Sequence, residues 1–356
     1  MKNERVARLR EALSEEKLDA LIVSSLHHVR YLTSFSGSNA LCLVSRHEAI
    51  FVTDVRYGEQ SSEEVKGFRR AVTALGLYEG VGKQNLLHRC RRVGFESHYV
   101  SYAQYRTLKR LHPSISFVPT TNIVERLTLI KVPEEIAAIK RAVEISDRVF
   151  TEVLPAIRPG VRELEIAGEI SYLHKRFGAE HDAFETIVAS GPRGSLPHAR
   201  ASSKRIRNGE MVTLDFGCTV DGYNSDITRT IAVGKASRRA REIYNVVLDA
   251  QRTAIDAAKG GMLVKDLDAV ARNRIKDAGY GKYFIHSLGH GLGLQLHEHP
   301  RVSALSKERL QAGSVITIEP GVYIPDFGGV RIEDDVVVTE TGSRVLNTAP
   351  KELLIV

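Results

Sequence analysis

The chain of 356 residues contains little cysteine and no tryptophan. Its three cysteines, Cys42, Cys90 and Cys218, are odd in number, lie far apart in the sequence and form no C-x-x-C pair. This pattern excludes a disulfide framework and a zinc site built from thiolates, and it is typical of reducing compartments. We therefore predict a cytoplasmic protein in which Cys218 acts only as a packing residue.

Long hydrophobic runs are also absent. No uninterrupted apolar segment reaches about 18 residues, the length that suggests a membrane-spanning helix. The first residues, MKNERVARLREALSEEKLDALIV, are too charged for a secretory signal and are typical of an amphipathic helix that leads into a strand. No interaction with a membrane is expected.

Several catalytic motifs do not occur in the sequence. There is no G-x-S-x-G, no GxGxxG and no HExxH, so neither a serine nucleophile nor the usual dinucleotide or helical zinc motif is supported. The net charge of +7 and the pI of about 9.2 suggest nucleic acid as one partner. The basic residues are scattered, however, and lack interleaved aromatics, so we predict a solvated basic surface and no nucleic-acid site.

The distribution of helical and strand patterns predicts an α+β protein with two domains. Residues 1–125 alternate short helices and strands, as in a small α/β domain, and include a hairpin around Arg46 and His47. Residues 126–132 are predicted to form a linker. Pro133 then opens a long helix, and residues 133–356 form a second domain with helices on an antiparallel sheet.

One hairpin of the second domain carries two aspartates in otherwise apolar strands. The segment MVTLDFGCTVDGYNSDITRT turns at Asp221-Gly222, a strong signal for a two-residue hairpin loop. That turn pairs residues whose numbers sum to 443, so Asp215 faces Thr228 and Asp226 lies diagonally beside it. Two carboxylates on one face repel unless a cation lies between them. Taken alone, the hairpin fits a metal site and an ordinary solvent-facing hairpin equally well.

Other ionisable residues occupy similar positions. Glu319 ends the strand SVITIEPG, and Glu333 lies in the strand GGVRIEDDVVV, two residues after Arg331. A glycine-rich segment, HSLGHGLGLQLHEHPRV, contains four histidines: His286, His290, His297 and His299. Each residue considered singly is more simply explained as a solvated cap, an ion pair or a structural histidine.

Together these segments resemble one family. DFGCTVDGYNSDITRT, HSLGHGLGLQLHE, TIEPGVY and GVRIEDDVVV are similar to the motifs of the two-metal peptidases that include prolidase, aminopeptidase P and methionine aminopeptidase. Their catalytic domain has the pita-bread fold, also called the creatinase/aminopeptidase-like fold. The segment VRYLTSFSGSNALCLVS resembles the amino-terminal domain of the proline-specific branch. The resemblance therefore implies a creatinase/prolidase-type domain followed by a pita-bread domain.

The resemblance also implies a metal centre. It assigns Asp215 and Asp226 mainly to one divalent metal ion and His290 to the other, with Glu319 and Glu333 contacting both. Four carboxylates and a bridging hydroxide nearly balance two divalent cations. An oxygen-rich set with one imidazole favours manganese over cobalt, zinc or iron.

Further roles follow from the same resemblance. His198 and His297 correspond to histidines that bind the scissile carbonyl and the developing oxyanion, and Glu319 corresponds to the proton shuttle. His286 would line the proline pocket, and Arg301 would bind substrate. Residues expected to hold the metal ligands in place are Thr228 and Arg331. His299 departs from the family pattern, which leaves an H-x-H metal pair with His297 as an alternative.

The sequence thus predicts a metal-dependent exopeptidase that cuts Xaa-Pro bonds in small peptides and forms a homodimer. Whether it acts on dipeptides, as prolidase does, or on longer chains, as aminopeptidase P does, stays open. A methionine-type or broader aminopeptidase is an alternative that the large first domain disfavours. A non-catalytic peptide- or nucleic-acid-binding module is disfavoured by the complete set of acids, as is a creatinase-like amidinohydrolase.

Overall fold

The computed structural model describes residues 2–356, with side chains from Glu4 onward. It contains two compact units, of which one ends at Thr128 and the other spans Leu129–Val356. A short helix, Ile123–Thr128, extends into the segment that we predicted as a linker. Among the described residues, no helix is both long and apolar enough to cross a membrane.

The first unit is built on a six-stranded sheet with helices on its faces. The strand order is β4-β3-β2-β1-β5-β6, and β1–β2 and β2–β3 are antiparallel while the other pairs are parallel. The helices are α1 (Lys2–Glu15), α2 (Leu26–Thr33), α3 (Gly58–Glu64), α4 (Leu77–Lys83), α5 (Tyr102–Leu111) and α6 (Ile123–Thr128). The strands are β1 (Ala20–Val23), β2 (Ala40–Ser45), β3 (Ala49–Asp54), β4 (Arg69–Thr73), β5 (Arg92–Glu96) and β6 (Ser116–Thr120).

The predicted hairpin around Arg46 and His47 is confirmed as β2–β3. Helix α4 was not predicted, because its sequence LYEGVGK contains two glycines that disfavour an isolated helix. Tertiary packing overrides that preference. Tyr78 and Val81 are buried in the core, and a Cβ atom at Gly80 would lie 2.8 Å from the side chain of Thr73.

The second unit combines four helices with several antiparallel sheets. The helices are α7 (Pro133–Val153), α8 (Glu163–Arg176), α9 (Arg238–Ala257) and α10 (Val264–Asp277). The strands are β7 (His181–Asp182), β8 (Ile187–Ser190), β9 (Met211–Phe216), β10 (Cys218–Val220), β11 (Tyr223–Asn224), β12 (Ile227–Ala232), β13 (Gly289–Gly291), β14 (Glu298–Val302), β15 (Val315–Ile318), β16 (Gly321–Ile324), β17 (Gly328–Arg331), β18 (Asp334–Val338) and β19 (Ser343–Val345).

The strands of this unit pair as β11-β10-β7, β12-β9-β8, β14-β13-β15-β18-β19 and β16-β17. The predicted antiparallel pairing is confirmed. The prediction of a single sheet is wrong, because the strands form several sheets. One helix pair, α7 and α8, shares a hydrophobic core with β9 and β12, and the pair α9 and α10 shares another with β15 and β18. The two halves of the second unit therefore follow a similar plan, each with one helix pair packed on antiparallel strands.

The aspartate-bearing hairpin has the predicted register. Thr228 faces Asp215, and Thr219 faces Asn224, so paired numbers sum to 443. Both turn residues have positive φ, 51° at Asp221 and 81° at Gly222, as this tight hairpin turn requires. The strands are interrupted, however, so Asp226 lies just before β12 and not within it.

The interruption depends on Gly217, the residue between β9 and β10. A Cβ atom there would lie 1.9 Å from the carbonyl oxygen of Ser225, so any side chain forces the backbone apart. We expect Gly217→Ala to lower the free energy of unfolding by about 2–3 kcal/mol, as other overpacking changes do. Denaturant unfolding measures this value. The control is Gly168→Ala, at an exposed helical position with open space, where the same change should be neutral or stabilising. Equal effects at both positions would contradict the close approach.

The prediction of one strand over GGVRIEDDVVV is wrong, because this segment forms two strands. β17 pairs with β16, β18 pairs with β15, and Glu333 lies in the break between them. The peptide N–H of Glu333 donates to the carbonyl of Thr228 in β12, at 3.1 Å. The chain leaves one sheet and enters another at this residue, which directs the glutamate toward the aspartate hairpin.

Candidate metal centre and active site

The second unit contains a cavity of about 640 Å³ whose lining includes many ionisable side chains. Every side chain that the sequence analysis assigned to the site lines it, apart from Thr228, which lies behind it. The lining residues include Asp215, Asp226, His290, Glu319, Glu333, His198, His286, His297, Arg301 and Arg331. Four separate segments of the chain therefore contribute side chains to one cavity. The first and last of these residues are more than 100 positions apart in the sequence.

Three of the predicted ligands form a compact cluster. Asp226, His290 and Glu333 each offer one ligand atom, and these atoms lie within 4.8 Å of one another. Glu319 adjoins them, because its Oε1 lies 3.6 Å from Nε2 of His290. Asp215 lines the same cavity, where its carboxylate accepts a short hydrogen bond from Arg331. These distances between ligand atoms are short enough for one divalent cation to bind the side chains with only small movements of each.

The carboxylates of this cluster disfavour one another's ionisation. Burial, together with the charges of Glu333 and Asp215, raises the pKa of Asp226 well above its ordinary value. Burial and then the charge of Glu333 do the same for the pKa of Glu319. The pKa of Glu333 is raised to about 7, chiefly by burial and next by Asp215. Several carboxyl groups with raised pKa values in one place are typical of functional sites. A bound cation would offset the repulsion between the carboxylates and so lower these pKa values.

The orientation of His290 is consistent with metal binding. Its Nδ1–H donates to the carbonyl oxygen of Gly291 at 3.0 Å, which leaves Nε2 unprotonated in the neutral imidazole. Nε2 points to the acids, 3.5 Å from Oδ2 of Asp226. The peptide N–H of His290 also donates to Oγ1 of Thr317, which fixes the backbone. A ring nitrogen held in this way is the usual arrangement for a histidine ligand.

The residues present fit a divalent metal. The Oδ1 atom of Asp226 is buried and has no hydrogen-bond partner within the described part of the chain. A buried carboxylate oxygen without a partner is costly, and a cation is the most economical way to satisfy it. Carboxylate oxygens with one imidazole nitrogen are a donor set that manganese and similar ions accept.

A buried arginine holds the acids in place. Nη2 of Arg331 donates to Asp215, Nε donates to Oγ1 of Thr228 at 3.0 Å, and Nη1 donates to the hydroxyl of Tyr323 at 2.6 Å. Thr228 in turn donates to Oε2 of Glu333 at 2.6 Å. Arg331 therefore fixes two of the predicted ligands from behind.

Because Lys cannot reproduce these three directed contacts, we expect Arg331→Lys to weaken metal binding by about 10–100-fold. Calorimetric titration of metal-free protein with Mn²⁺ measures this affinity. Arg141→Lys is a suitable control, since Arg141 forms an exposed ion pair with Asp221 at the hairpin turn. Unchanged affinity in Arg331→Lys would show that the arginine does not organise the ligands.

The other predicted histidines occupy different parts of the site. His286 donates from Nδ1 to the carbonyl of Ser287 at 2.7 Å, and its Nε2 accepts from Tyr323 at 3.0 Å. Burial and the charge of Arg331 lower the pKa of His286 to about 3, so its ring is neutral. Burial, followed by the charge of His290, likewise lowers the pKa of His297 to about 4.

His297 and His198 face the cavity, and the ring of His297 lies 4.3 Å from that of His290. His299 does not join them. It is exposed and its Nδ1 lies 3.3 Å from Glu308, so the described residues do not form the alternative H-x-H metal pair.

Sequence reasoning missed several residues that support the site. Tyr323 connects Arg331 to His286. It is the last residue of the motif TIEPGVY, and that position was the signal for it. Asp335 accepts a hydrogen bond from the peptide N–H of Asp226 at 3.0 Å. Asp335 is the third acid in the run EDD, and that run was the available signal. It was missed because an acid beside a predicted strand is usually exposed to solvent.

An oxygen-rich cluster with one imidazole, at the base of a cavity wide enough for a short peptide, is typical of a metallohydrolase. The family comparisons agree with this class. Residues 137–340 match metallopeptidase family M24, and residues 5–130 match the creatinase/prolidase N-terminal domain. The chain therefore belongs to metallopeptidase family M24, whose members use divalent metals.

Relatives and solved structures are similar over the whole chain. The Xaa-Pro dipeptidase of Pyrococcus furiosus is 42% identical over 356 residues, covering 99% of each chain. The structure of an Xaa-Pro dipeptidase from Bacillus anthracis has a TM-score of 0.96 at 42% identity and covers 100% of both chains. That of an X-Pro aminopeptidase from Thermotoga maritima has a TM-score of 0.92 at 36% identity and covers 99% of both. The predicted fold class and the resemblance to this peptidase family are confirmed.

Proposed function

We propose that the chain is a metal-dependent exopeptidase that hydrolyses the bond between a first residue and a proline at the second position. Xaa-Pro dipeptides are the simplest substrates of this class. The observation that carries the proposal is the convergence of Asp226, His290, Glu319 and Glu333 at the base of a cavity that also contains Arg301. Relatives that share 36–42% of the sequence and are named for Xaa-Pro cleavage support the substrate class.

The Xaa-Pro bond needs a dedicated site, because proline forms a tertiary amide without an N–H. An enzyme cannot hold such a substrate through the amide hydrogen. It must use the carbonyl oxygen, the proline ring and the charged ends instead. The cavity offers groups for each purpose: His198 and His297 for the carbonyl, His286 beside Tyr323 for the ring, and Arg301 for a carboxylate.

The chain's own residues supply binding and proton transfer. Divalent metal ions, when bound, polarise the carbonyl and lower the pKa of an attacking water. Glu319 accepts the proton that this water loses as its oxygen bonds to the carbonyl carbon, and it returns the proton to the proline nitrogen as the C–N bond breaks. His198 and His297 donate hydrogen bonds to the carbonyl oxygen as negative charge develops there.

We propose that the centre holds two ions and that manganese is the native metal. The support for two ions is the number of carboxylates, since Asp215 and Glu319 lie beside the three-residue cluster. The oxygen-rich donor set supports manganese. Homodimerisation and a cytoplasmic location stay predictions from the sequence.

The substrate class is tested by comparing three peptides with manganese-loaded enzyme: Ala-Pro, Ala-Ala and Met-Ala-Ala. We expect kcat/KM for Ala-Pro to exceed that for Ala-Ala by about 100-fold or more, because the site is built around the proline ring. Ala-Ala is matched to Ala-Pro in length and charge. Cleavage of Met-Ala-Ala without cleavage of Ala-Pro would contradict the proposal and favour a methionine-type aminopeptidase.

A further inference from the structure

The first unit contains a cavity of about 190 Å³ that the proposed peptidase activity does not use. It opens between the turn of the β2–β3 hairpin, residues 45–48, and the segment 86–90, which follows helix α4. All of its lining residues lie between Asp19 and Cys90, within the first unit. Sites for drug-sized ligands measure about 300–1,000 Å³, so this cavity fits a smaller molecule.

The floor of the cavity is aliphatic. It is formed by five buried side chains of the core of the first unit: Ala20, Leu43, Ile50, Leu86 and Leu87. Leu43 and Ile50 face each other across β2 and β3, so both side chains leave the sheet on the same side. An apolar group that enters the cavity therefore leaves water for contact with the hydrophobic core, which favours its binding.

Hydrogen bonds hold both walls of the cavity in place. In the hairpin turn, the peptide N–H groups of His47 and Glu48 donate to Oγ of Ser45 at 3.3 and 3.0 Å. In the opposite segment, the peptide N–H of Cys90 donates to the carbonyl of Leu87 at 2.9 Å. The space between the two walls is thus formed by backbone with a defined conformation.

The rim of the cavity is rich in cationic side chains. Arg46 and His47 come from the hairpin turn, and His88 and Arg89 come from the opposite segment. All four side chains are exposed. Neither arginine takes part in a hydrogen bond or an ion pair with any residue from 4 to 356 that the structure describes. The two guanidinium groups are therefore available to a ligand.

Both acids of the lining already have partners. Oδ2 of Asp19 accepts from the peptide N–H groups of Arg91 and Arg92 at 2.8 and 2.9 Å. The carboxylate of Glu48 forms a short ion pair with Arg69. Arg69 and the two rim arginines together outnumber the two acids by one. This excess of one positive charge is what a monoanion would balance.

We propose that this cavity binds a small amphiphilic monoanion, a carboxylate attached to an aliphatic group of about five to seven carbons. The aliphatic group packs on Leu43 and Ile50. The carboxylate lies at the rim between Arg46 and Arg89, because guanidinium groups form strong paired hydrogen bonds with carboxylates. The cavity shares no residue with the metal-centre cavity, so the inference is independent of the proposed function.

Cys90 lines the cavity and can report its occupancy. Cys42 and Cys218 are buried, whereas Cys90 is partly exposed, so the neutral reagent iodoacetamide should alkylate Cys90 first. Burial raises the pKa of the Cys90 thiol, so the reaction requires a mildly alkaline buffer, at about pH 8. Mass spectrometry of the digested protein identifies the alkylated cysteine.

The test measures how four probes slow the alkylation of Cys90 in the full chain: hexanoate, acetate, hexylammonium and inorganic sulfate. We expect hexanoate to protect Cys90 at a concentration at least about tenfold below that of acetate, since each buried methylene group strengthens binding about fourfold. Hexylammonium has the wrong charge and sulfate lacks an apolar group, so neither should protect at that concentration. Because occupancy is measured at Cys90, binding of carboxylates to the metal centre does not affect the result.

The variant Arg46→Ala/Arg89→Ala should need at least about tenfold more hexanoate for the same protection, because it loses the charge-assisted hydrogen bonds. The matched control is Arg106→Ala/Arg110→Ala, which removes two exposed arginines from helix α5, outside the cavity, and should behave as wild type. Alkylation of wild type that hexanoate does not slow would overturn the inference. Equal protection by hexylammonium, acetate or sulfate, or unchanged protection in the Arg46/Arg89 variant, would also overturn it.

Discussion

Asp226→Asn is expected to reduce kcat on Ala-Pro by roughly 10³-fold or more, a loss of about 4 kcal/mol in transition-state stabilisation. The change keeps the shape of the side chain but removes the charge that a divalent cation requires. Asp226 lies in the three-residue cluster, and its buried Oδ1 has no protein partner among the described residues. Metal content measured by mass spectrometry should fall along with the activity.

The same variant should remain folded, and it should melt at a higher temperature than wild type when both are metal-free. The reason is that Asp226 is buried beside Glu333 and Asp215, whose charges raise its pKa. Asp221→Asn, on the exposed turn of the same hairpin, is the matched control and should retain wild-type kcat. A near wild-type rate in Asp226→Asn would refute its role as a ligand.

The affinity for Mn²⁺ is expected to rise by at least about 100-fold between pH 5 and pH 7. Metal binding requires ionised carboxylates, and each ligand that must lose a proton reduces the apparent affinity about tenfold per unit of pH below its pKa. The pKa of Glu333 is raised to about 7, by burial and then by Asp215, and those of Asp226 and Glu319 are raised too. Calorimetry in buffers with different ionisation enthalpies should show proton release on binding.

The same pKa shifts predict how stability depends on pH. Unfolding returns these carboxyl groups to pKa values of about 4, so between about pH 4 and pH 7 the metal-free folded state holds more protons than the unfolded state. Metal-free protein should therefore lose stability as pH rises through this range, whereas saturating Mn²⁺ reverses the trend. The difference in Tm between the two forms should widen from pH 5 to pH 7. A difference that does not change with pH would contradict the account.

Local patterns were sufficient for much of the site. The turn at Asp221-Gly222 predicted the register that places Thr228 opposite Asp215, because a two-residue turn allows one pairing. The long helix that begins at Pro133 was predicted from that proline, and it ends at Val153. Each of these predictions depended on residues close together in the chain.

Contacts between segments that lie far apart in the chain could not be predicted from local sequence patterns. Glu333 reaches the metal cluster because the chain changes sheets there, through a hydrogen bond to Thr228, 105 residues earlier. Arg229 is only 1% exposed, and it donates to Asp334 in β18 and to the carbonyls of Ala349 and Pro350. These contacts anchor the carboxyl-terminal segment beside β18. An arginine within a strand pattern is normally solvent-facing, so only the assembled fold shows that it is buried and paired.

The central claim is that this cluster binds divalent metal and uses it to cut Xaa-Pro bonds. The most direct test is hydrolysis of Ala-Pro by one preparation measured in three states: as purified, after removal of metal with a chelator, and after addition of Mn²⁺ to the chelated protein. We expect chelation to abolish activity and lower Tm, and we expect Mn²⁺ to restore both. Full activity and an unchanged Tm in the chelated protein would contradict it.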